Sequence, residues 1–197
     1  MKRKSLMGLV SLMMLLFLAG CGKVPQDKID AAKAAIETLR AAEADVYVPE
    51  EFANLENQMK TIMASIEAEN SKTFKNFKEQ IVQLENIVAS TGGIIENANE
   101  AKEVVLGETE GLFEQIKTVL AENKDLMAKA PKGKEGAAVL EEMRNEIAII
   151  ETSVAEAHSM FENGNYKAAS DKVKAAIEGV QSINTELQEA IAKIKRK

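Results

Sequence analysis

The chain has no tryptophan, two tyrosines, six phenylalanines, one cysteine and one histidine. A single cysteine excludes an intramolecular disulfide and leaves a thiolate zinc site without ligands. A single histidine, His158, also rules out the paired Glu-x-x-His motifs of bundle metal sites, and position 155 is alanine. Proline occurs only at 25, 49 and 131. Cationic excess is missing too. With 25 Lys and Arg against 31 Asp and Glu, the net charge is −6, which argues against general binding to nucleic acid or anionic lipid. Alanine, glutamate and lysine are abundant. The hydrophobic share of 46% is too high for a disordered stalk, and this composition with helical periodicity reads as long helices or coiled coil.

Long apolar runs are limited to the start. Lys2, Arg3 and Lys4 precede an uncharged stretch from Leu6 to Ala19, the layout of a secretory signal peptide. The stretch is shorter than the roughly 20 residues a membrane-spanning helix needs. It ends in Leu18-Ala19-Gly20-Cys21, which resembles the bacterial lipobox. Small side chains suit an extended backbone in a peptidase cleft, and the sulfur is the nucleophile that takes a diacylglyceryl group. The resemblance implies cleavage between Gly20 and Cys21 and lipidation of Cys21. Residues 1–20 are then a leader and 21–25 a tether, and the remaining chain carries a net charge of −9. Gly22 follows the cysteine; in the sorting rule of such lipoproteins an aspartate there favours the inner membrane, so the expected location is the outer membrane, or the outer face of the cytoplasmic membrane in a cell with one.

The rest of the sequence predicts an all-α fold: an elongated antiparallel bundle of about five helices, over 26–46, 49–69, 73–129, 135–162 and 165–196. Apolar residues recur at steps of three and four, as in Ile29, Ala32, Ile36, Leu39 and Val46, or Phe52, Leu55, Met59, Ile62 and Ile66. Val48-Pro49 separates the first two helices, because the residue before proline is pushed from the α region. Pro49 suits a first helical turn, with Glu50 and Glu51 at its positive end. After the polar Asn70-Ser71-Lys72-Thr73, where either hydroxyl suits a cap, Phe74, Phe77, Ile81, Leu84 and Val88 open a long central helix. Gly92-Gly93 interrupts it at about 1 kcal/mol per glycine. Because Leu84, Val88, Thr91, Ile95 and Ala98 keep their phase across the pair, a bent helix is expected rather than a loop. The turn at 131–136 and the Asn163-Gly164-Asn165 cap set off the last two helices. Two bundles in series, or one bundle folded at the glycine pair, both satisfy these lengths.

The segment AAKAAIETLRAAEADVYVPEEF at 31–52, with its spaced alanines, Tyr47, and Pro49-Glu50-Glu51-Phe52 followed later by an aromatic-led helix after a polar turn at Phe74, resembles a family of alanine-rich helical bacterial envelope lipoproteins over about residues 31–85. The domain that defines this family has no assigned activity. The resemblance implies an envelope location and a structural or binding role.

No convergent set of titratable residues points to catalysis, so a non-enzyme is expected. His158 lies beside Val154 and Phe161 on a core stripe, and the carboxylates alternate with lysines as on a solvated helix face. No cofactor or metal is expected. The ending Arg196-Lys197 resembles that of the murein lipoprotein of enteric bacteria, which implies peptidoglycan attachment through Lys197; cations at a helix carboxyl end are equally explained by its negative pole. Two functional readings follow. One is a structural or protein-interaction role through helix faces, with envelope proteins or peptidoglycan as partners and the membrane held through the lipid. The other is a module that binds a lipid or hydrophobic molecule in a bundle cavity lined by Met59, Met63, Met127, Met143 and Met160.

Overall fold

In the computed structural model of the protein, residues 22–130 and 134–195 are described. They form six α-helices, and there is no strand among them. The helices are α1 (Gln26–Ala41), α2 (Ala44–Tyr47), α3 (Pro49–Asn70), α4 (Lys78–Lys129), α5 (Lys134–Glu162) and α6 (Tyr166–Lys195). The fold is an all-α helical bundle. It divides between Asn99 and Glu100 into two units, so α4 contributes residues to both.

The first expected helix is broken. Glu43 adopts a left-handed backbone (φ 58°), a conformation that disfavours any residue with a Cβ. It separates α1 from the single turn of α2, whose Ala44 is fully buried. Val46, expected on the core stripe, is 41% exposed as a result. Pro49 opens α3 as anticipated, with Glu50 and Glu51 in its first turn.

The central helix starts later than expected, at Lys78 rather than at residue 73. Neither Ser71 nor Thr73 caps it; the Ser71 hydroxyl donates back to the Ala68 carbonyl (2.7 Å). Asn76 does the capping, its Oδ1 accepting from the Lys78 backbone N–H (3.3 Å). Asn76 is itself fixed by its own N–H donating to Glu69 Oε1 (2.8 Å). Glu69 also pairs with Lys72 Nζ (2.6 Å), and the Lys72 and Asn76 hydrogen bonds hold its carboxyl below the usual carboxylate range.

α4 passes through Gly92 and Gly93 as continuous helix. The buried face there is Leu84, Ile87, Ile94 and Ala98, while Val88 is 42% exposed and Ile95 only partly buried. Both glycines are exposed, and a Cβ added at either meets nothing within 4 Å. Burial of the opposite face offsets their backbone entropy. Gly92→Ala and Gly93→Ala are therefore each expected to raise stability by about 0.5–1 kcal/mol, which chemical denaturation of the two variants will measure.

In the amino-terminal unit, one core joins Ile29, Leu39, Phe52, Ile62, Leu84 and Ile87 with their neighbours. α1 and α3 run antiparallel, since Arg40 near the end of α1 pairs with Glu56 near the start of α3 (2.7 Å). α3 and α4 are likewise antiparallel: Gln80 Nε2 donates to Ser65 Oγ (2.8 Å), and Asn97 Nδ2 donates to both oxygens of Glu51 (3.2 and 3.0 Å). In the carboxy-terminal unit, α5 and α6 pack together and with the later part of α4, around Phe113, Ile116, Val173 and Val180 at one level and Met127, Met143, Ile147 and Leu187 at another. The α5–α6 turn is a Schellman motif: Gly164 is left-handed (φ 83°), Asn165 N–H donates to the Met160 carbonyl and Gly164 N–H to that of Phe161.

Candidate functional site

Gly20, Cys21 and Lys197 lie outside the described residues. The described chain begins at Gly22, which is exposed, and Val24 already packs against the amino-terminal core. No described helix is long and apolar enough to cross a membrane.

His158 is brought into an aromatic cluster. Its ring stacks on Phe113 (centroids 3.7 Å apart, planes 12° apart), Phe113 meets Phe161 edge to face (5.6 Å), and Phe161 leans on Tyr166 (5.0 Å). This joins α4, α5 and α6 at one level of the carboxy-terminal unit. Among the described residues, no group of three or more His, Cys, Asp or Glu could hold a metal.

Beside that cluster, a groove of about 530 Å³ runs between α4 and α5 over an apolar floor of Phe113, Ile116, Leu120 and Val154. A second hollow of about 400 Å³, floored by Met127, Ile147 and Ala148, shares its Lys124 and Glu151. Those two residues are joined by an ion pair of 2.8 Å. The arrangement suits an apolar segment with polar ends laid along the helices. The methionines expected to line one cavity are instead distributed. Met59 packs in the amino-terminal core with Met63 against it, and Met127 and Met143 share a cluster in the other unit. Met127 alone among the five reaches the hollow described here.

The amino-terminal unit has a different groove, of about 370 Å³, between α3 and α4. It is lined by Asn54, Asn57, Gln58, Thr61, Gln83 and Asn86 over Ile62. Its chemistry is that of neutral donors and acceptors.

Two features were not legible as functional or structural exceptions in the sequence. Phe74, expected in the core, is 91% exposed in the α3–α4 loop. It forgoes the roughly 1.5–3 kcal/mol that burying such a side chain contributes. The signal available was KTFKNFK, where lysines flank both aromatics. Asn123 is fully buried, its Nδ2 donating to the Val180 carbonyl (2.7 Å) while Oδ1 has no partner among the described residues. Its step of seven from Ile116 and four to Met127 marks it as a stripe position.

Asn123→Leu is expected to raise stability by about 1 kcal/mol, because relieving a buried unpaired acceptor outweighs the loss of one hydrogen bond. Asn123→Ala is expected to lower it, since it removes the bond and leaves a cavity. Thermal unfolding of the two variants tests the opposite signs; a loss in both shows that the Oδ1 atom is satisfied in solution.

Comparison of the chain with protein-family models, curated proteins and solved structures finds no match.

Proposed function

We propose that this chain is a bacterial cell-envelope lipoprotein, anchored through Cys21, whose helix faces give it a structural or protein-interaction role. The observation that carries the reading is the lipobox-like Leu18-Ala19-Gly20-Cys21 at the end of a cationic and apolar leader, with folded structure beginning only a few residues beyond. The short interval between Cys21 and Gln26 suits a bundle held close to the membrane. The resemblance of residues 31–52 to alanine-rich envelope lipoproteins supports the same placement, and Gly22 favours the outer membrane. The role we infer is not enzymatic. His158 stacks on Phe113. Attachment of Lys197 to peptidoglycan is a further part of the reading, and a muropeptide mass on the carboxy-terminal peptide tests it.

Exposed apolar positions on the helices give the partner test its sites. Val104 is 59% exposed on α4, and Ile149 is 70% exposed on α5. Photo-crosslinking residues placed at each in growing cells should give discrete adducts with envelope partners, protected from external protease according to membrane side. Cells in which neither position yields a specific adduct would count against the interaction role.

The second reading, a binding module for a lipid or other hydrophobic ligand, is favoured by the apolar floor of the groove between α4 and α5. Native mass spectrometry of gently purified protein distinguishes it: a co-purified lipid supports the module, and a single ligand-free species opposes it.

A further inference from the structure

The loop between α3 and α4 holds a large apolar side chain in water, and it does so with a fixed backbone. Phe74 stands 91% exposed. Beneath it, Glu69 clamps both Lys72 and the Asn76 backbone, and Lys75 Nζ donates to Asn70 Oδ1 (2.7 Å). Phe77, three residues on, is buried in the core at 5% exposure. One aromatic therefore roots the loop and the other projects from it.

The loop is locally cationic in an acidic chain. From Ser71 to Lys78 there are three lysines and no acid. Glu69 offsets Lys72 below the tip, Glu79 follows in the first turn of α4, and Lys75 donates to the neutral amide of Asn70.

The loop also lies at a particular end of the amino-terminal unit. Lys28, in the first turn of α1, pairs with Glu85 (2.6 Å), two turns into α4. Because α3 is antiparallel to both, the start of α1 and the α3–α4 loop share one end. Gly22 and Lys23, exposed, lead into α1 at that end, and Cys21 is the residue that precedes Gly22 in the sequence.

We propose that this loop is a second membrane contact. Phe74 enters the interfacial layer of the bilayer to which the amino terminus is tethered, and Lys72, Lys75 and Lys78 lie at its anionic headgroups. An exposed apolar tip flanked in sequence by lysines has the chemistry of an interfacial anchor. A tether alone leaves the amino-terminal unit free to rotate; the loop gives it an end-on orientation. The choice of membrane rests on the lipid-anchor reading above, but the contact itself can be tested apart from it.

The absence of tryptophan makes Phe74→Trp a sole reporter at a position where the larger ring meets only solvent. Val46→Trp, at the opposite end of the unit, is its control. Residues 21–197 of each variant are coupled through Cys21, the sole thiol, to a maleimide lipid in vesicles of phosphatidylcholine with phosphatidylglycerol, with and without bromine on the acyl chains. Tryptophan at 74 is expected to shift to the blue and lose most of its emission to the brominated lipid, while tryptophan at 46 keeps its emission. Lys75→Gln with Lys78→Gln should lower the ratio of inserted to free loop roughly fivefold per lysine on these vesicles, with little change on pure phosphatidylcholine. An unquenched tryptophan at 74, as a loop that faces a protein would give, overturns the proposal. Equal quenching at 74 and 46 overturns it too, because adsorption is then not end-on. The chemical coupling does not depend on acylation in the cell, so a Cys21 found acyl-free would remove the anchor reading and leave this result standing.

Discussion

Replacing Cys21 by alanine is expected to move the protein from the detergent phase to the aqueous phase in phase partitioning, with its helix content unchanged. Each acyl methylene buried in a bilayer contributes about 0.8 kcal/mol, and even a single myristoyl chain gives marginal binding. The three chains implied by the lipobox resemblance make an effectively permanent anchor. Nothing among the described residues replaces it: no helix there can cross a membrane, the net charge is negative, and one interfacial loop is weaker than one acyl chain. The fold should not notice the change, because α1 begins five residues later. Phase partitioning and far-ultraviolet circular dichroism of wild type from a lipoprotein-processing host and of residues 21–197 carrying Cys21→Ala, produced without the leader, check both halves. A variant that stays in the detergent phase would remove the sulfur from the mechanism of attachment.

Leu84→Ala is expected to destabilise the amino-terminal unit by about 3 kcal/mol, by lost transfer energy plus an incompletely filled cavity. Leu84 has no exposed surface, and its cluster brings together side chains from α1, α3 and α4. Helix backbones on each side limit how far the site can collapse. The loss is a large part of a domain's typical 5–15 kcal/mol and corresponds to a fall of the order of 10–20 °C in the unit's melting temperature. Val88→Ala, one turn along the same helix, should cost less than about 0.5 kcal/mol, because Val88 is 42% exposed. Hydrogen exchange of amides in α1 and α3 reads the unit's stability within the whole protein. Equal effects of the two substitutions would mean that α4 is rotated from the face described.

The contrast between Leu84 and Val88 also marks where sequence periodicity stops being informative. Steps of three and four place Leu84, Val88, Thr91, Ile95 and Ala98 on one plausible stripe, and Leu84, Ile87, Thr91, Ile94 and Ala98 on another. Both run helically, and they differ by a small rotation about the axis. The positions that distinguish them decide it: Ile87 and Ile94 are buried, whereas Val88 is exposed and Ile95 only partly buried. Where the competing side of the helix was polar, no such choice arose: Phe52, Leu55, Met59, Ile62 and Ile66 on α3, and Ala169, Val173, Ala176, Val180, Ile183 and Leu187 on α6, are buried as their spacing indicates.

Local chemistry sufficed for the helical class, the start of α3 at Pro49 and the cap at Gly164, because backbone geometry at a proline or a left-handed glycine is a property of a few adjacent residues. The lipobox-like ending at Cys21 is likewise a pattern of adjacent residues in the sequence. Partners distant in sequence decided the rest. Helix–helix burial carries α4 through Gly92-Gly93, Val180 lies opposite Asn123 from another helix, and Glu69 reaches across the loop to fix Asn76 and leave Phe74 outside. Burial depends on which surfaces meet, and a spacing along one chain segment cannot specify the surface that will face it.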